Sequence, residues 1–113
     1  MGKVIRIPSA FVIDTKVVGV SQNNADGTSR QEIIKQGVEE NDPIILEREP
    51  ENPHDPRAVK VLNQSREQIG YLSREVAGRV SFALDNEAEV VARASWVSGE
   101  KMTGVGLRIE LAT

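Results

Sequence analysis

Pro50, Pro53 and Pro56 recur at every third position of residues 47–61, EREPENPHDPRAVKV, and neither a helix nor an unbroken strand can run through them. Each fixes its own φ, offers no backbone N–H and pushes the residue before it (Glu49, Asn52, Asp55) toward extended conformations. Apolar runs flank the stretch at residues 44–46 and 58–62. The spacing therefore predicts two strands joined by a stiff polar loop that presents Asn52, His54 and Asp55 in a set geometry.

The rest of the chain reads as short elements around that loop. Residues 4–7 form a short apolar run stopped by Pro8, an edge-strand pattern, and residues 11–20 are rich in β-branched side chains. Residues 21–30 collect Asn, Asp, Gly and Ser and read as a loop. Ser29 with Glu32 resembles a capping box for a short helix that Gly37 ends. A strand follows at 43–48, and residues 57–62 and 69–72 make a hairpin across the polar turn between them. Ser73 is placed to cap a second helix, whose apolar stripe is Val76, Ala77, Val80, Ala83 and Leu84, stopping near Asp85 and Asn86. Residues 89–97 alternate, with Val90, Ala92, Ala94 and Trp96 on the apolar side; residues 105–111 alternate with Gly106, Arg108 and Glu110 outward. Trp96, Phe11 and Phe82 are expected in the core. About six strands and two short helices predict an α+β, mainly β fold: a small, partly open antiparallel β-barrel of OB-like or SH3-like type.

A chain of 113 residues suits one domain over 1–113. No cysteine is present, which excludes disulfide scaffolds and thiolate metal sites, and one histidine makes a zinc site improbable by ligand count, so neither metal nor cofactor is expected. A net charge of −3 argues against a protein that coats nucleic acid by neutralising many phosphates; any such contact should be small and local. The N-terminus lacks an uninterrupted apolar signal region, and no run is long enough to span a membrane, so a soluble, cytoplasmic, monomeric protein without membrane partners is the expectation.

Motifs for catalysis are missing. No G-x-S-x-G elbow occurs, residues 99–104 do not complete a phosphate loop, and His54 with Asp55 has no activated nucleophile beside it. No residue is assigned a catalytic role. The plain reading of the proline loop is a stiff turn with solvated side chains. Convergence argues for more: Arg57 and Lys60 follow the loop at once, and the hairpin returns Tyr71 and Arg74 toward the same end of the sheet. Arg74 falls in the first turn of a helix, where free N–H groups and the dipole already favour an anion.

These residues carry a family resemblance. VVGV at 17–20, RQEIIK at 30–35, LEREPENPHDPRAVKV at 46–61 and QIGYLSREVAGRV at 68–80 together resemble the HIRAN domain, found in repair helicases and as small standalone proteins in bacteria. The short first helix is similar to the standalone bacterial variety. The match spans about residues 17–86, with the hairpin at 88–112 completing the barrel. The resemblance implies an oligonucleotide-binding type of barrel that recognises DNA and, in one helicase-linked member, a pocket for the three-prime hydroxyl end of a single strand. Carried over, Asn52 and Asp55 match the pocket Asn and Asp, with Asp55 accepting from the terminal hydroxyl. His54 stands where that member has an aromatic on the base, Tyr71 where it has a histidine, and Arg74 replaces a phosphate-binding Lys. That member follows VVG with an Arg and two Tyr. Here the matching residues are Ser21, Gln22 and Asn23, of which Gln22 joins the expected nucleic-acid-binding set with Arg57 and Lys60. Losing two stacking faces costs about 1–3 kcal/mol per base.

Three functions follow as expectations. The first is a non-catalytic module that binds single-stranded DNA ends in repair or replication, with repair or replication proteins as further partners. The alternative is a protein-interaction or regulatory domain that has lost end binding. The third is a metal-dependent hydrolase.

Overall fold

The computed structural model describes residues 10–112; the strand read at residues 4–7 lies outside the described residues. Eight elements follow in order: β1 (Ala10–Lys16), α1 (Arg30–Gly37), β2 (Pro43–Arg48), β3 (Val59–Leu62), β4 (Gln68–Tyr71), α2 (Arg74–Asp85), β5 (Val90–Ser98) and β6 (Gly104–Ala112). The strands form one antiparallel sheet in the order β1-β6-β5-β2-β3-β4. It curls into a half-barrel, mainly β, with two helices.

Closure comes from the segment after β1. The β-branched pattern predicts one strand over residues 11–20 leading into a turn, but β1 ends at Lys16 and Val17 makes the last bond to β6, donating to Val105 O at 2.9 Å. Val18 then exchanges both backbone bonds with Tyr71, at 2.9 and 3.0 Å, and so joins the first strand to the last. Gly70 makes this crossing feasible. A Cβ there would collide with the Val17 side chain and with Val18 O. The core cluster is apolar: Val105, Leu107, Ile109 and Leu111 of β6 pack with Val59, Val61, Ile69 and Ile34, while Ala77 and Val80 close one end from α2.

Local chemistry explains the helix starts. Ser29 caps α1 by accepting the Glu32 N–H at 3.2 Å. Ser73 stands at the N-cap of α2 in extended conformation, but its hydroxyl makes no capping bond. Its carbonyl takes the N–H groups of Val76 and Ala77 instead.

The aromatic residues depart from expectation. Trp96 is 41% exposed, Phe11 46% and Phe82 71%, so none is a core residue. For Trp96 the cause is a β-bulge: the β5–β6 register jumps between Ala94 and Trp96, leaving Ser95 as an extra residue. One inserted residue reverses the side-chain phase, turning Trp96 out and Val97 in. Phe11 lies on the edge strand β1, and the Arg79 guanidinium of α2 covers its ring 4.5 Å from the centre.

Candidate functional site

The proline loop, residues 49–58, is a stack of turns at the end of the β2–β3 hairpin. Glu49 N–H donates to Ala58 O, Asn52 N–H to Glu49 O and Ala58 N–H to Asp55 O, at 3.0–3.1 Å. Asn52 does the work inside: its Oδ1 accepts the N–H groups of His54 (2.8 Å) and Asp55 (3.0 Å), and its Nδ2 donates to Glu49 Oε1 at 2.7 Å. The amide expected to face a ligand is thus committed to the loop. Arg48 ties the base of the loop to α2, with Nη1 on Ala58 O at 2.9 Å and Nε on Asp85 at 3.0 Å.

Glu49 is the centre of the corner. Besides Asn52 it accepts the Tyr71 hydroxyl at 2.7 Å and faces Lys60 Nζ at 3.2 Å. Burial raises its pKa, but donors from Tyr71, Asn52 and Lys60 outweigh this and hold the carboxyl below its usual 4.5. Burial, and then the bond to Glu49, push Tyr71 above its usual 10.0. Sequence reading passed over Glu49, which looks like one more solvated acid in an acidic stretch. Only the pairing of Lys60 with Tyr71 across β3 and β4 brings its partners to it.

Asp55 is half-buried; its Oδ1 accepts the Arg57 N–H at 2.9 Å, and its Oδ2 meets no donor among the described residues. Arg74, at the start of α2, reaches the His54 carbonyl at 3.4 Å. A cation and a helix N-terminus therefore lie against the same loop as Asp55. Arg57 is exposed and stretches over Gly78 of α2, 4.0 Å from Asp55. His54 projects into solvent. Gln22 sits in a turn closed on Gly19 O and is exposed, without a contact to the loop.

Arg30, where the polar stretch gives way to the first helix, is only 6% exposed. Its Nε donates to Asn24 Oδ1 at 2.7 Å, its Nη1 to Gly19 O at 2.9 Å, and its guanidinium lies 5.5 Å from the Tyr71 ring centre. Among the described residues no carboxylate meets it. It places a buried positive charge behind Tyr71, from the first position of a helix, where a cation is unfavourable by the dipole. A mixed-charge cleft of about 400 Å³ opens beyond Lys60, lined by Asn24, Glu47, Arg66 and Gln68, with Arg66 already paired to Glu47 at 3.0 Å.

The Glu49 cluster makes stability depend on pH with a definite sign. A carboxyl whose folded pKa is depressed stabilises above its unfolded pKa and loses that contribution as pH falls through the folded value. Tyr71, raised, contributes below its unfolded pKa and loses it as pH rises through the folded value. Thermal melts should therefore fall on acidification below pH 4.5 less steeply in Glu49→Gln than in the parent. Parallel acid limbs would remove Glu49 from the account.

Comparison with known proteins agrees with this architecture. The helicase-like transcription factor of Mus musculus is 42% identical over 50 residues, 44% of this chain, and that of Homo sapiens 40% over the same length; the match spans 5% of those proteins. The crystal structure of the HIRAN domain of human HLTF has a TM-score of 0.69 at 25% identity, covering 88% of this chain and 74% of that one. The HLTF HIRAN domain in its DNA-bound conformation gives 0.63 at 26%, covering 92% and 78%. A Lactobacillus plantarum protein, at 0.64 and 17% identity over 89% and 96%, shares the fold. Among the described residues no helix is long and apolar enough to cross a membrane. The family model of the HIRAN domain matches residues 12–111, a span that takes in the proline corner and reaches from β1 to β6, and the chain belongs to that family.

Proposed function

We infer that this chain is a nucleic-acid-binding module that holds the three-prime end of single-stranded DNA at the proline corner, with residues 1–113 acting as one domain. One observation supports the reading: Arg74 at the start of α2 reaches the carbonyl of His54, in the loop that holds Asp55, so a cation suited to phosphate and a carboxylate suited to a hydroxyl border the same loop. The N–H groups at a helix start favour the same anion. Likeness to a HIRAN domain solved in its DNA-bound conformation supports it. In this reading Asp55 Oδ2 accepts the terminal hydroxyl and Arg74 meets the adjoining phosphate. Tyr71, backed by Arg30, offers its ring edge, and exposed His54 supplies a face for the last base. Asn52 acts indirectly, by fixing where Asp55 and His54 stand. A role at strand ends in repair or replication follows from the same chemistry.

Fluorescence anisotropy with short single strands bearing a free or a phosphorylated three-prime end tests this. The free end should bind more tightly. Asp55→Ala should abolish that preference, while Arg74→Ala should weaken both complexes and reduce the salt slope by about one. Equal affinity for the two ends in the parent protein sinks end recognition, and no binding to either sinks the module.

A further inference from the structure

The bulge in β5 gives the outer face of the half-barrel a feature that the corner does not use. Trp96 lies flat on the sheet: a Cβ on Gly104 would stand 3.3 Å from Cζ3, and a Cβ on Gly106 would collide with the pyrrole edge. Two glycines on alternate positions of β6 thus form a floor for the indole, with one ring face on backbone and the other toward solvent. Lys16 pairs with Gly106 and so stands in the same row, without an ion pair to any described residue. The next row holds Asp14, Arg108 and Arg93; Asp14 is held by Arg108 at 3.5 Å, and Arg93 donates to Asn41 at 2.8 Å. Glu110 is one row further away.

This platform is continuous with the corner. Lys16 and Val18 both point outward along the crossing segment, and Val18 bridges to Tyr71. From the ring over Gly106 to Tyr71 is one strand spacing, two residues of strand and another strand spacing, roughly 16–20 Å along the surface. Gln31 holds the two ends in fixed relation, its side chain bonding Val20 O at 3.0 Å and both the O (2.9 Å) and N (2.8 Å) of Thr103 in the β5–β6 turn.

We propose that Trp96 and Lys16 form a second subsite for single-stranded DNA, where a base a few nucleotides from the bound end stacks on the indole and its phosphate meets Lys16. The proposal rests on the corner being a strand-end site. A fixed aromatic face beside a cation that meets no acid among the described residues matches what a nucleotide offers, a π-face and a charge, and stacking of this kind is indifferent to sequence. An apolar protein partner would instead leave Lys16 desolvated without an acid.

Trp96 is the only tryptophan, so its intrinsic fluorescence reports on the subsite directly. The full chain is titrated with thymidine dinucleotide and hexanucleotide, reading Trp96 emission and, with labelled strands, anisotropy. The hexanucleotide should quench Trp96 as it binds, and the dinucleotide should bind without quenching. Trp96→Ala should weaken the hexanucleotide about tenfold, as for loss of one stacked base, and leave the dinucleotide unchanged. Gly106→Ala, which lifts the ring while keeping it, should reproduce that loss if the chain stays folded by circular dichroism. Lys16→Gln should lower the hexanucleotide's salt slope by about one. Hexanucleotide binding with an unquenched Trp96 overturns the subsite and leaves the corner standing. Failure of both lengths to bind overturns both.

Discussion

Gly70→Ala is expected to lower stability by about 3 kcal/mol, or roughly 10–15 °C in Tm, and to abolish strand binding in what remains folded. The added methyl meets the Val17 side chain and, with no room to yield, the Val18 carbonyl. That carbonyl is already bonded to Tyr71 N–H, so relief requires the crossing segment to leave β4. Once it leaves, the half-barrel opens along the seam between its first and last strands, and Tyr71 loses the neighbour that sets its position over Arg30. Gly78→Ala in α2 is the contrast. Its Cβ would approach only the Arg57 guanidinium at 3.3 Å, the end of a long exposed side chain that swings aside. A helix-interior Gly→Ala change then gains up to about 1 kcal/mol. Urea unfolding of the two variants beside the parent separates the cases. Similar midpoints for all three would mean that the Val17–Val18 crossing contributes nothing to closure.

The contrast shows what a sequence displays and what it conceals. Elements set by local rules were legible: the proline loop, the Ser29 cap, the stripe of α2, and the alternation of β6 with Arg108 and Glu110 outward. So were the family and the mainly β, partly open barrel. Features decided by one residue or by distant pairing were not. The bulge at Ser95 leaves no compositional mark, yet it reverses the phase of everything after it and takes Trp96 out of the core. Residues 17–20 read as one strand with those before them, because a change of partner from β6 to β4 leaves the alternation intact. Arg30 follows a polar loop and looks solvated; its acceptors, Gly19 O and Asn24 Oδ1, are gathered only when that loop folds back over it. At the corner, Asn52 and Asp55 stood out by residue type. Their division of labour, one bracing and one with an oxygen that no donor among the described residues meets, is a matter of geometry.

Glu49→Ala should do more damage to that corner than any change to a residue that faces solvent. Three donors lose their acceptor together: the Tyr71 hydroxyl, Asn52 Nδ2 and Lys60 Nζ. Hydrogen bonds to a charged group contribute about 1.5–3 kcal/mol each when one partner is removed, but Lys60 is partly exposed and regains water, so a total near 3 kcal/mol is expected. Glu49→Gln separates charge from shape. Its amide oxygen can stay at Oε1 and keep both Asn52 and Tyr71, while its NH2 replaces Oε2 opposite the Lys60 ammonium, so only the ion pair is lost and the cost should stay near 1 kcal/mol. Because Asn52 fixes the N–H groups of His54 and Asp55, freeing Nδ2 loosens the loop that holds them. Glu49→Ala should therefore reduce affinity for a free three-prime end about as much as Asp55→Ala, although Glu49 need not touch the strand. A double-mutant cycle with Tyr71→Phe makes the claim quantitative: a coupling of about 1 kcal/mol in stability is expected between positions 49 and 71. A coupling of zero, or Glu49→Gln as damaging as Glu49→Ala, would show that the carboxylate's charge or bulk matters and its role as shared acceptor does not.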